Sequence, residues 1–369
     1  MNNSVDYSQH NDTEEYRYYD TTEIVFYFVT PWKKFLDGYL FFILGTITLF
    51  SNIALIYGMV DRKCVTSTAV LLLTLAFSIS VSLLAQLPDS MYLILFGDAT
   101  LESLPPDKWC TVLHIFYSIK NITISSGNWT TVFLAIQRCV VIFYPFRATI
   151  LFTIRRTLIL QAVNLCLCCL LHVYTWIIMD IPNAELWIDP GLTHSCFIVI
   201  RNIPDSSSPV NTIFTDEMTR HAIQYVVPCI FLTLATFLLV YRLRKASKSI
   251  PGGITPRTNG SNAIRNSRMT KATKFVLSIL LLFLLNQTVQ TAIFGVYMRD
   301  YLVNNESLSN KNLSIIDTVM RYLTLLTYQC IFWIFVMMSD RFRRSIKSQF
   351  SRYLKKSSTR EPPSTIVKY

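Results

Sequence analysis

The chain has 369 residues, of which 51% are hydrophobic and only 15% charged, and its formal net charge is +11. A soluble domain carries about 25% charged residues, so this composition excludes a chain made mainly of water-facing globular domains. The basic excess does not call for nucleic acid, because it follows the two sides of a membrane.

Seven continuously apolar stretches succeed one another, at 35–60, 69–96, 109–142, 157–179, 220–241, 273–298 and 314–338. Each reaches the roughly 20 helical residues that cross a bilayer core. Their apolarity lacks two-residue alternation, which predicts helices rather than a barrel. The expected fold is therefore all-α, a seven-helix membrane bundle over 35–338 preceded by a polar, acidic tail over 1–34. That tail has no signal-peptide pattern, so the first span is expected to act as the targeting signal.

Charge decides the expected orientation. The tail and the connections at 97–108, 180–219 and 299–313, with flanks to Asp317, hold 8 Lys/Arg against 18 Asp/Glu. The connections at 61–68, 138–156 and 242–274 and the end of the chain from 340 hold 24 against 3. This predicts an extracellular N-terminus and a cytoplasmic C-terminus in the plasma membrane. Of nine cysteines, only Cys110 and Cys196 fall on the outer side. An oxidising exterior would join them; the alternative is two free thiols. Peptide mapping without reductant is expected to find them bonded, and two free thiols would refute it. Cys166, Cys168 and Cys169 lie within the fourth span without metal-ligand spacing, which reads as core packing. Asn2 and Asn11 stand in outer sequons and are the glycosylation candidates.

Arg138 interrupts the run "TVFLAIQRCVVIFYPF" at the cytoplasmic end of the third span. A long side chain there can snorkel to water. With seven spans and an outer N-terminus, a second reading opens. Gln137, Arg138 and Cys139, with Pro145 seven residues after the arginine, resemble the Asp-Arg-Tyr motif and loop proline of rhodopsin-like G-protein-coupled receptors. Asn52, Leu75–Ala76, Pro88 and Pro228 match further markers of that family. The resemblance implies that Arg138 is uncovered when the sixth helix swings outward and then meets a heterotrimeric G protein. "MSDRFRRSI" resembles the start of the family's membrane-surface helix. There Phe342, Ile346, Phe350 and Leu354 recur every four residues among basic side chains, predicting an amphipathic helix over 339–356. A tail over 357–369 offers Ser357, Ser358, Thr359, Ser364 and Thr365 to receptor kinases and arrestin, or is a plain solvated end.

Two blocks narrow the resemblance. "FLLNQTVQ" (283–290) and "IFWIFVMMSDRFR" (331–343) are similar to blocks of invertebrate neuropeptide receptors of the FMRFamide, myosuppressin and sex-peptide (myoinhibitory-peptide) type and their nematode relatives. Departures accompany them. Ile79, Gly127 and Ile331 stand where the family builds a sodium pocket, so none is expected. Gln137 replaces the acid before the arginine, Phe335 the seventh-span tyrosine, and Val289 the sixth-span proline, so no proline kink is expected there. Met269 stands where an acidic partner of the arginine would sit, and Cys110 lies three residues earlier than the family spacing, implying a local insertion.

Charges within the spans mark functional positions. Asp89, Lys120 and Arg321 lie in the outer parts of the second, third and seventh spans, and the resemblance implies that they face the ligand. Lys120 is ten residues, about 15 Å, below Cys110. Asp89 bridging a cation to hold the helices in register is the competing reading. The three sum to +1, a surplus suited to a carboxylate or carbonyl. Tyr92, Tyr117, Gln290, Tyr297 and Tyr322 are further contact candidates, or ordinary packing. The basic segment 242–274 is expected to be mostly disordered, with its ends prolonging the flanking helices. No catalytic constellation, cofactor site or metal spacing is present in the sequence. The expected function is a receptor for an extracellular peptide; the alternatives are a chemosensory receptor for small external molecules and, with no inverted repeat in support, a transporter or channel.

Overall fold

The computed structural model describes residues 32, 34–60, 66–96, 108–180, 183–188, 191–196, 199–200, 218–248, 260–303 and 310–338. Helix α1 begins as a π-helical segment, Lys34–Leu40, and continues as Phe41–Val60. Then follow α2 (Ser67–Phe96), α3 (Lys108–Phe143), a short α4 (Pro145–Leu151) and α5 (Ile154–Ile178). After the strands described below, α6 has a π-helical part, Ala222–Val226, and a longer part, Val227–Lys248. Helices α7 (Gly260–Val303) and α8 (Asn310–Met338) complete the bundle. The seven long helices correspond to the seven apolar stretches.

Side-chain bonds between helices fix their directions. Gln137 of α3 meets Ser67 and Thr68 of α2, so these two are antiparallel. Thr130 and Ser126 of α3 meet Gln161 and Asn164 of α5, again antiparallel. Asn128 and Cys139 of α3 meet Gln224 and Ala235 of α6, so α3 and α6 run parallel. The core between them is aliphatic: Leu75, Ile79, Leu134, Leu232, Ile279 and Leu280 are almost fully buried. Ile79 and Ile331 both belong to that core.

The outer faces are apolar too. Phe50, Phe77, Leu170 and Phe237 are each more than 60% exposed, which water would not tolerate on this scale and lipid does. Hydroxyls along the spans bond back to the carbonyl four residues earlier, as Thr46, Thr48, Thr74 and Ser80 do, so few donors are left to the hydrocarbon. Five of the long helices cross a membrane by length and composition alone over their described residues.

Two features differ from expectation. The connection expected to be a loop at 180–219 holds two antiparallel pairs, β1 (Met179–Asp180) with β4 (Val199–Ile200) and β2 (Asn183–Ile188) with β3 (Gly191–Cys196). The segment 242–274 was expected to be mostly disordered, yet 242–248 and 260–274 are helical; the helices do extend into its two ends as expected, but much further. Pro145 opens α4 at its first turn, where its missing N–H costs nothing. Helix α2 runs through Pro88, and α7 runs unbroken past Val289. The 1–34 tail up to Trp32 with Asn2 and Asn11, the 339–356 helix, the 357–369 tail, and the side chains of Cys110, Cys196, Met269 and Phe335 lie outside the described residues.

Candidate functional site

Charged side chains gather at the end of the bundle that carries the strands. Arg321 Nε donates to Asp317 Oδ2 at 3.1 Å, one helical turn back on α8. Its guanidinium also reaches Asp89 of α2 at 3.8 Å. The Arg321 side chain is 13% exposed, Asp89 24% and Asp317 55%. Lys120 of α3 is half-buried and within electrostatic reach of Arg321, Asp89 and Asp317. Its ammonium lies over the Tyr117 ring, 4.4 Å from the centroid. The structure thus brings Asp89, Lys120 and Arg321 together as their positions implied. It corrects their balance, because Asp317 cancels the +1 surplus.

Helix α1 closes the same end. Thr318 Oγ1 donates to fully buried Asp37 at 2.8 Å, and Tyr322 Oη donates to the Leu36 carbonyl at 2.7 Å. Both acceptors sit in the π-helical start of α1, whose wider turn is a frequent feature of functional sites. Tyr322, expected to contact a ligand, is therefore committed to a clip between α1 and α8. Gln290 is half-buried on α7. The side chains of Tyr92 and Tyr297 lie outside the described residues. Nearby, the His221 ring stacks on Tyr225 and Phe294 at 5.5 and 5.2 Å, joining α6 to α7.

Polar seams continue through the middle. Thr130 Oγ1 donates to Gln161 Oε1 at 2.8 Å, and Asn164 Nδ2 to the Ser126 carbonyl at 3.1 Å. Cys168 Sγ extends this seam to Ser125 Oγ at 3.6 Å. Of the cysteine trio only Cys168 packs inside; Cys166 and Cys169 are exposed. On α7, Gln287 is fully buried and neither end of its amide has a partner among the described residues. An unpaired buried amide costs about 1–3 kcal/mol. Gln287→Met, of similar length and apolar, is therefore expected to raise the melting temperature of the purified protein. An unchanged or lower value would show that Gln287 is paired in the folded protein.

At the opposite end, Gln137 is 1% exposed and bonded twice to α2: Nε2 donates to Ser67 Oγ at 2.8 Å, and Oε1 accepts from Thr68 Oγ1 at 3.2 Å. Its amide is spent on α2 and not on Arg138. Arg138 is half-buried, and its buried Nε has no partner among the described residues. Cys139 Sγ points at the Ala235 carbonyl of α6, 3.6 Å away.

Asp317, Asp37 and Gln287 were not singled out from sequence. The Asp317–Arg321 spacing of four was a readable signal; the Asp37–Thr318 contact, 281 residues apart, was not. Among the described residues no group of His, Cys, Asp or Glu is placed to hold a metal ion.

Seven long helices with apolar outer faces, a charged cluster at one end and an arginine near the other make the architecture of a multi-pass membrane protein. The family model described as "Serpentine type 7TM GPCR chemoreceptor Srw" matches residues 39–353. The chain belongs to that family, and so among membrane-embedded receptors of the G-protein-coupled kind. No curated protein matches the chain.

Proposed function

We propose that this protein is a chemosensory receptor of the cell surface. It takes an external molecule at the strand-bearing end of the bundle and passes the change to a heterotrimeric G protein at the end that holds Arg138. The observation that carries the reading is the match to a chemoreceptor family over 39–353. The charge asymmetry of the connections supports an extracellular N-terminus and a cytoplasmic C-terminus. Lys120, Tyr117 and Gln290 are the ligand contacts in this reading, while Arg321, Asp89 and Tyr322 frame the site.

A peptide ligand is the second reading, favoured by the blocks at 283–290 and 331–343. The test expresses the full chain with reporters for each G-protein class and applies separate panels of small water-soluble or volatile compounds and of neuropeptides. Activation by small compounds, with the protein found in ciliated sensory endings, supports the first reading. Activation by peptides alone, with expression in other neurons or muscle, replaces it with the second. Silence to both panels at normal surface levels overturns the receptor reading.

A further inference from the structure

We propose that Lys120 anchors a carboxylate of the ligand, so that the receptor detects organic acids or peptides with a free terminal carboxylate. This rests on the receptor reading above and names the chemistry of the same site.

Four charges meet there, but unevenly. Asp317 and Asp89 both lean on Arg321, at 3.1 and 3.8 Å. Lys120 feels all three groups yet makes no ion pair among the described residues. What stands against its ammonium is the face of Tyr117. A ring quadrupole attracts a cation without neutralising it, and an ammonium carries three donors that a ring cannot satisfy as oxygens do. At this depth a cation without a carboxylate in direct contact is costly and marks a functional position.

The four charges of the cluster sum to zero, but both carboxylates lie on Arg321; an arriving carboxylate gives Lys120 the direct ion pair and the oxygen acceptors that it does not share in. It need not break the Arg321 pairs to do so. Asp89 and Asp317 are held on Arg321, so a group docking directly on the Lys120 ammonium meets a cation first, and an amine there is repelled where a carboxylate is attracted. A neutral ester of the same skeleton keeps the apolar contacts but brings no charge to Lys120.

The test uses the purified full chain in lipid nanodiscs and reads the melting temperature. One arm applies benzoate, phenylacetate and hexanoate, each against its methyl ester and the amine of the same skeleton. The other applies short peptides ending in phenylalanine, each with a free and an amidated C-terminus. The expected result is an upward shift with acids in at least one arm, none with esters, amides or amines, and loss of the shift in Lys120→Met. The arm that responds identifies the source of the carboxylate. Lys120→Arg, which retains a cation, is expected to keep the preference for acids. If Lys120→Met fails to fold, the comparison of acid with ester on the parent protein still decides. Equal shifts from ester and acid, an acid shift that survives Lys120→Met, or no shift from any acid overturns the proposal. Acid binding without G-protein activation by any compound would instead sink the receptor reading and leave the role of Lys120 intact.

Discussion

Replacing Asp89 and Asp317 together by asparagine is expected to abolish most of the folded protein that reaches the membrane. Both carboxylates serve one guanidinium, and the Arg321 side chain is only 13% exposed. Breaking a buried ion pair from one side costs about 3–5 kcal/mol, because the remaining charge stays desolvated. Partial exposure puts this case near the lower end, and about 3 kcal/mol still shifts the folded ratio by roughly two orders of magnitude. The single change Asp317→Asn is expected to matter little: that carboxylate is 55% exposed, and exposed i,i+4 pairs contribute about 0.3–0.5 kcal/mol. Asp89→Asn should fall between. Adding Arg321→Met to the double mutant is expected to restore folding, since an apolar replacement removes the stranded charge. Surface labelling of the four variants measures this series. If the triple mutant folds no better than the double, the three residues do not act as a unit.

The rescue also separates two roles that sequence left open for the intramembrane charges. Asp89 was expected to bridge one of two cations, and the structure assigns it to Arg321. Lys120 is left to a different use. The four-residue spacing of Asp317 and Arg321 is readable in the sequence, whereas the meeting of Asp89 on α2 with Arg321 on α8 is a tertiary contact. Clips such as Asp37 with Thr318, and Tyr322 with the Leu36 carbonyl, join residues nearly 300 positions apart. No local pattern encodes them.

The helices themselves were legible because a bilayer leaves the backbone no alternative over an apolar run of spanning length. Connections are not so constrained. The β2–β3 pair forms where "NAELWIDPGLTHSC" places an Asp-Pro-Gly turn signal between two extended runs. The start of α7 lies further back than composition suggests. Its residues 260–272 are basic and rich in Ser, Asn and Thr, a composition typical of disorder, yet no proline follows Pro256 to stop a helix extending back from the span. Tertiary continuity overrode composition there.

Arg138→Lys is expected to lower coupling to the G protein by an order of magnitude or more while surface expression stays normal. A lysine stem also reaches the membrane interface, so pure snorkelling would make the two equivalent. A guanidinium offers a planar fork that an ammonium cannot reproduce. Among the described residues nothing holds Arg138: its buried Nε has no partner, and the neighbouring Gln137 amide is bonded to Ser67 and Thr68 instead. A resting state with an unheld arginine is weakly favoured, so some ligand-independent signalling is expected. Two substitutions at 137 separate charge from the clip to α2. Gln137→Glu keeps the length, so its carboxylate can accept from both hydroxyls while setting a negative charge beside Arg138. Gln137→Asp adds the charge one methylene short of α2. Both are expected to lower basal activity, and a gain of about 1.4 kcal/mol for the resting state is enough for a tenfold fall. Gln137→Leu removes the clip without adding charge and should leave basal activity equal or higher. Basal signalling that is unchanged in all three, together with an Arg138→Lys variant that couples like the parent, would reduce Arg138 to a snorkelling charge and move the G-protein contact elsewhere on this end of the bundle.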